Sequence, residues 1–167
     1  GVMLALAADI VFARADIVLN PHYKSMGLYG SEYWTYSLPR AVGPTVAEQL
    51  TQACLPISAT QALQLGMVQE IGPRCPDEFS LWLLQRANAT LTDPTYAAVR
   101  ERKLRVDQVL IEQCRENELQ EMQEDMLYNR NQFAEKCSHF VYKRKACGTP
   151  ARLVEDWARV RKVELAD

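Results

Sequence analysis

Ile57-Ser58-Ala59-Thr60-Gln61-Ala62-Leu63-Gln64-Leu65-Gly66-Met67-Val68 carries a helix start and a helix stop within twelve residues. Ser58 has the short side-chain oxygen that caps a helix N-terminus, predicting a helix from Ala59 to Leu65. Gly66 can take the left-handed conformation that ends it. The run Met67 to Ile71 that follows is strand-like. A helix delivered directly into a strand points to an α/β fold.

Upstream, Val2 to Ala8 are good helix formers around small alanines, suited to a closely packed helix end. Asp9 to Ala13 and Asp16 to Leu19 read as two short strands with a polar break at Arg14. Asn20-Pro21 stops the second, because the residue before proline is pushed out of the α region. Leu19 to Gly43, LNPHYKSMGLYGSEYWTYSLPRAVG, then gathers five tyrosines and tryptophans, a histidine and one carboxylate. Aromatics with a polar tip suit a cleft, where the ring buries and the hydroxyl or N–H finds a partner. Gly27 and Gly30 bracket a loop here, and Ser31 is the expected N-cap of a helix through Leu38, with Pro39 beyond it. Thr45 to Cys54 reads as a short helix behind Pro44.

Downstream, Pro73 to Asp77 form a turn into an amphipathic helix bearing Phe79, Leu81, Trp82 and Leu84. From Asp93 to Tyr142 the chain is charged, almost free of glycine, and dotted with Val106, Leu110, Leu119, Met122 and Met126 at helical spacing. Two or three long helices are expected. Gly148-Thr149-Pro150 breaks them, with Thr149 capping a last helix that carries Val154, Trp157 and Val160. The expected division is 1–92, the C-terminal half of an α/β core, and 93–167, a helical lid or collar.

The 167 residues are 48% hydrophobic and 24% charged, which excludes a disordered chain. A net charge of −2 speaks against nucleic-acid or anionic-membrane partners, and no apolar run reaches the roughly 20 residues of a spanning helix. Cys54, Cys75, Cys114, Cys137 and Cys147 are odd in number and widely spaced, which reads as reduced thiols of a cytoplasmic protein, not disulfides or metal ligands. Gly1 opens directly into an apolar run without an initiator Met, so the sequence reads as a piece of a larger domain, inactive and of poor stability alone.

Several of these segments, in this order, resemble the crotonase (enoyl-CoA hydratase/isomerase) superfamily. They are Gly1-x-x-Leu4-Ala5-x-Ala7-x-Asp9-Ile10 with Pro21 after the strands, Leu38-Pro39-Arg40-x-x-Gly43, Ile57-Ser58-Ala59-x-x-Ala62-x-x-x-Gly66-Met67-Val68, and Phe140-Val141-x-Lys143-Arg144-Lys145. The resemblance implies a spiral core of ββα turns followed by C-terminal helices that cover the site or mediate assembly. It also implies acyl-CoA thioester chemistry, in which two backbone N–H groups polarise the thioester oxygen. Gly1 lies next to that oxyanion hole. Phe140 would contact the adenine of coenzyme A and Lys143 a phosphate, as a point charge.

Hydratases of the superfamily carry glutamates where this chain has Met3 and His22, and water addition across a double bond needs both, one as base and one as acid. Simple enoyl-CoA hydration is therefore rejected. The block Asn20 to Tyr36 and the Thr149-Pro150 tail resemble instead the crotonase-like C-terminal domain of the HypX/HoxX hydrogenase maturation proteins. That resemblance implies a lyase that releases carbon monoxide from formyl-CoA, for an iron ligand of nickel–iron hydrogenase, with the formyl group supplied from 10-formyltetrahydrofolate by an N-terminal domain. It implies acyl-CoA as substrate, hydrogenase maturation proteins as partners, and no metal. A thioesterase or isomerase, or a module that only binds coenzyme A or a partner, are the alternatives.

Glu32 is the remaining acid of the stretch. It is either an ordinary first-turn glutamate favoured by the helix dipole or a cleft carboxylate whose desolvation raises its pKa. The flanking Tyr33, Trp34 and Tyr36 favour the second. Tyr23 is the expected proton donor to the departing sulfur and Glu32 or His22 the acceptor. The plain alternative for His22 is a loop histidine bonded to backbone, and for Tyr23 an aromatic plug that shrinks the acyl pocket. Tyr29 and Tyr33 follow on the same logic, while Arg40 and Lys24 read as rim residues.

Overall fold

The computed structural model describes residues 1–144. The chain runs α1 (Val2–Leu6), β1 (Phe12–Arg14), β2 (Val18–Leu19), a single 3-10 turn (Lys24–Met26), α2 (Trp34–Val42), α3 (Pro44–Ala53), β3 (Ile57–Ser58), α4 (Ala59–Gln64), β4 (Glu70–Gly72), α5 (Pro76–Thr92), α6 (Tyr96–Leu104), α7 (Gln108–Tyr128) and α8 (Phe133–Val141). The expected helix after Thr149, with Val154, Trp157 and Val160, lies outside the described residues.

The strands are short and pair in two places. β1 lies parallel to β4, with Phe12, Ala13 and Arg14 opposite Glu70, Ile71 and Gly72. β2 lies antiparallel to β3, with Val18 opposite Ser58 and Leu19 opposite Ile57. Arg14, expected to break the strand, ends β1 and donates to the Arg74 carbonyl at 3.0 Å. The break falls at Asp16, whose φ of 69° turns the chain. Ser58 caps α4 as expected: its hydroxyl accepts from Gln61 N–H while the Gln61 side chain accepts from Ser58 N–H, a reciprocal capping box.

Met3 and Leu6 of α1, Ala13, Leu19, Leu38, Ala47, Ile57, Ala59, Ala62, Met67 and Val68 form one buried cluster. Small alanines at 59 and 62 let α4 sit close against the strands. Trp82 of α5 packs edge-on against Phe12 at 5.7 Å and covers Gly72, where an added Cβ would come within 2.4 Å of its ring.

Two expectations about α2 are corrected. Ser31 does not cap it; the helix starts at Trp34, after Tyr33 in a left-handed conformation. Nor does Pro39 end it. Pro39 forgoes its N–H bond and crowds the carbonyl of Thr35, yet the helix, with Leu38 buried at 0% exposure, runs on to Val42, where Gly43 at φ 83° stops it.

α7 is the largest departure. The helices expected from Asp93 onward are present as α6, α7 and α8, but on α7 Leu110, Leu119 and Met126 are exposed, and the buried residues are Cys114, Glu118 and Asp125. This face packs on α2, while α8 packs on the 3-10 turn. No helix among the described residues is long and apolar enough to cross a membrane.

Candidate active site

Beyond β2 the chain folds back on itself. Pro21 and His22 are buried, and Tyr23 leads into the 3-10 turn, its carbonyl accepting from Met26 N–H at 2.9 Å. Gly27 leaves that turn with a φ of 72°, and an added Cβ there would meet the Asn131 carbonyl at 2.7 Å. Gly30, at φ 97°, lies against the Tyr23 ring, where an added Cβ would come within 2.4 Å of Cδ2. Only glycine leaves room for the ring in this conformation. The ring so placed directs its hydroxyl to Glu32, donating to Oε2 at 2.7 Å. Burial pushes the Tyr23 phenol far above the ordinary tyrosine range, and the hydrogen bond to Glu32 and the charges of Glu32 and Glu118 push it further in the same direction.

Glu32 opens onto a cavity of about 930 Å³ between α1, the start of α2, and the segment from α6 into α7. Gly1, Met3 and Leu6 form one wall; Tyr33, Tyr36 and Arg40 form another. The Gly1 nitrogen lies 3.8 Å from Glu32 Oε2. Met3, where a carboxylate would be needed for hydration, is 2% exposed and lies 3.7 Å through its sulfur from the Ser37 hydroxyl. Cations gather on the same cavity. Arg40 stacks over Tyr36, its guanidinium 4.9 Å from the ring centre, and Arg102 and Lys103 come from α6. Lys103 donates to the Leu6 carbonyl at 3.1 Å; burial and then the neighbouring Arg40 charge lower its pKa. Among the described residues none of these three cations is ion-paired with an acid.

The structure thus puts Gly1, Glu32 and Tyr33 on the cavity, joins Tyr23 to them only through its hydrogen bond to Glu32, and sets the other expected site residues apart. Glu32 was expected in a closed, desolvating cleft; its side chain is 52% exposed. Nor does it lie in the first turn of α2, which begins two residues later. His22 is 8% exposed, has no hydrogen-bond partner for Nδ1 among the described residues, does not line the cavity, and has its pKa lowered by burial. The Tyr29 ring tilts against Trp34 at 5.3 Å and does not line the cavity, and burial raises its pKa. Phe140 is exposed at the end of α8 with the Lys143 ammonium 4.8 Å over its ring, and neither lines the cavity.

Sequence reasoning missed Glu118 and Asp125. Glu118 is 1% exposed and Asp125 0%, and both accept backbone N–H groups from the loop that carries Tyr23 and Glu32. Asp125 also accepts from Arg130 and Asn131. No local signal marks them, because α7 carries several other acids and only its docking on α2 selects these two.

Residues 1–147 match the family model described as enoyl-CoA hydratase/isomerase. A hydrogenase maturation factor HoxX from Bradyrhizobium diazoefficiens is 46% identical over 101 residues, 59% of this chain and 17% of that protein. The crystal structure of HypX from Aquifex aeolicus in complex with tetrahydrofolic acid superposes with a TM-score of 0.78 at 34% identity, covering 89% of this chain and 28% of HypX. An enoyl-CoA hydratase/isomerase from Pseudoalteromonas atlantica superposes with a TM-score of 0.70 at 22% identity, over 89% of this chain and 59% of its own, which shows the shared fold. The chain therefore spans less than a third of the length of HoxX or HypX.

Proposed function

Because the chain belongs to the enoyl-CoA hydratase/isomerase family, we propose that its cleft takes the reacting end of an acyl-CoA thioester, specifically formyl-CoA, and releases carbon monoxide from it for hydrogenase maturation. Similarity to HoxX and HypX supports the maturation role. The observation that carries the chemistry is the Tyr23–Glu32 hydrogen bond at 2.7 Å, whose Glu32 end lines the cavity.

In the proposed step the Glu32 carboxylate takes the formyl proton as the bond between carbon and sulfur breaks. Carbon monoxide leaves, the electron pair of that bond stays on sulfur, and Tyr23 protonates the thiolate. Glu32 then returns its proton to the Tyr23 phenolate along the hydrogen bond they share. One formyl-CoA gives one carbon monoxide and one coenzyme A thiol, with no net change in protons or electrons. General acid and base each require a group in the right protonation state. Burial and the two nearby carboxylates keep Tyr23 protonated before the step, and uptake of the formyl proton by Glu32 removes one of the charges that make the phenol a weak acid. His22, the other expected acceptor, is buried away from the cavity, which favours Glu32 as base.

Arg40, Arg102 and Lys103, which have no acidic partner among the described residues, fit a substrate that carries phosphates. We assign Gly1 a place beside the thioester oxygen and Tyr33 a share of the pocket wall. Tyr29 supports the loop through Trp34. The exposed Phe140–Lys143 pair is proposed as a distal contact for adenine and phosphate. The formyl donor, 10-formyltetrahydrofolate, would act outside these residues; the tetrahydrofolic acid bound to HypX supports a folate in such proteins.

A thioesterase is the second reading, favoured by the 52% exposure of the Glu32 side chain. A carboxylate open to water can equally activate water against the thioester carbonyl. Purified full-length protein incubated with formyl-CoA separates the two. Carbon monoxide captured by reduced haemoglobin supports decarbonylation, formate the thioesterase, and neither product a binding module. Glu32→Gln is expected to lower carbon monoxide release by about a hundredfold or more without weakening coenzyme A binding, the size general acid–base groups usually contribute. Undiminished release sinks the assignment.

A further inference from the structure

The N–H groups at the start of α2 are not satisfied locally. Tyr33 stands at the N-cap with a φ of 55°, and its side chain makes no cap hydrogen bond. The acceptor comes from α7. Glu118 takes Tyr33 N–H on Oε2 at 2.8 Å, and Thr35 N–H and hydroxyl on Oε1 at 2.8 and 2.6 Å. On the same face of α7, Met122 sulfur accepts from Gly30 N–H at 3.2 Å and Asp125 Oδ2 from Tyr29 N–H at 2.7 Å. The backbone is therefore tied to one helix on both sides of Glu32, although the Glu32 side chain itself is half open to solvent.

Burying a carboxylate is costly unless its oxygens are well supplied with donors, and both oxygens of Glu118 are. A serine or aspartate at position 33 would cap α2 with far less burial. A local cap would leave the loop free to move relative to α7; an acid reaching from α7 does not. We infer that Glu118 is a positioning residue, which holds the Tyr33–Thr35 turn so that the Glu32 carboxylate stays on the Tyr23 hydroxyl. Its catalytic consequence rests on the reading of Tyr23 and Glu32 as the proton-handling pair.

Glu118→Gln tests this in the full-length protein. The amide can still accept from Thr35, but its NH₂ faces the Tyr33 N–H, donor against donor. The expected result is a fall in kcat for carbon monoxide release of about tenfold or more, with KM changed by less than about threefold. An unchanged kcat, or a loss confined to KM, overturns the inference. A second readout needs no turnover: 3-fluorotyrosine at position 23, whose lower intrinsic pKa brings its titration into reach, followed by fluorine NMR. Glu118→Gln should lower that titration by about one pH unit or more, and by less than about half as much in a Glu32→Gln background. Loss of the Glu118 charge acts in both backgrounds, whereas loss of positioning acts only where Glu32 is present. Equal drops overturn the inference. Should wild-type protein release no carbon monoxide, the catalytic reading fails and the titration still decides the positioning role. If Glu118→Gln does not fold, Thr35→Val, which removes one donor to Glu118, replaces it in the same comparison, with a smaller drop expected and no drop fatal.

Discussion

A Cβ at position 30 would lie 2.4 Å from Tyr23 Cδ2, and the backbone there has a φ of 97°. Gly30→Ala therefore meets both a steric and a conformational penalty, and the ring is what must move. We expect a loss of about 1–3 kcal/mol in urea-melt stability, typical of overpacking, together with a lower turnover number because the Tyr23 hydroxyl leaves Glu32. Tyr23→Phe separates the two effects. It deletes the donor but leaves Glu32 half exposed, so water replaces the lost partner and stability should stay within about 1 kcal/mol. Thioester turnover should nonetheless fall by about a hundredfold or more if the hydroxyl serves as general acid. Equal turnover of Tyr23→Phe and wild type would leave Tyr23 a packing residue whose ring rests on Gly30.

Ser58→Ala should cost about 1 kcal/mol, measured by thermal or urea melts, because it opens the capping box of α4 where Ser58 and Gln61 hold each other's N–H groups. That helix was readable from sequence because cap, helix and glycine stop are all local and agree. The same local logic failed at α2. Ser31 looked like its cap, but the left-handed Tyr33 sets the start later and the capping acid arrives from Glu118, 85 residues on. The site divides in the same way. Tyr23 and Glu32 could be picked out because polar-tipped aromatics and an acid crowd a short glycine-bracketed loop, and the glycines are what lets them meet. Glu118 and Asp125 could not, since α7 also carries Glu112, Glu116, Glu121 and Glu124. Nothing local distinguishes the acids that face a backbone from those that face water; only the docking of α7 on α2 does.

His22 and Tyr23 are neighbours in sequence, yet they tie the stability of the whole molecule to pH at opposite ends. Burial lowers the His22 pKa, so the unfolded chain binds its proton more readily than the folded one. The stability it contributes is complete above about pH 6.5, the unfolded value, and declines as the pH falls below it. The Tyr23 phenol is raised by burial first and then by Glu32 and Glu118. The folded chain holds that proton more tightly, so its contribution is complete below about pH 10 and declines above it. Urea melts across pH should therefore show a plateau between these limits, lost on both sides. Since Nδ1 of His22 has no partner to forfeit among the described residues, His22→Asn should make the acid side shallower while leaving the alkaline fall in place, and Tyr23→Phe should make the alkaline fall shallower, Tyr29 keeping part of it, while leaving the acid side in place. An acid-side slope unchanged by His22→Asn would mean that the histidine is hydrated in solution, and that the buried loop beneath Tyr23 is looser than its packing implies.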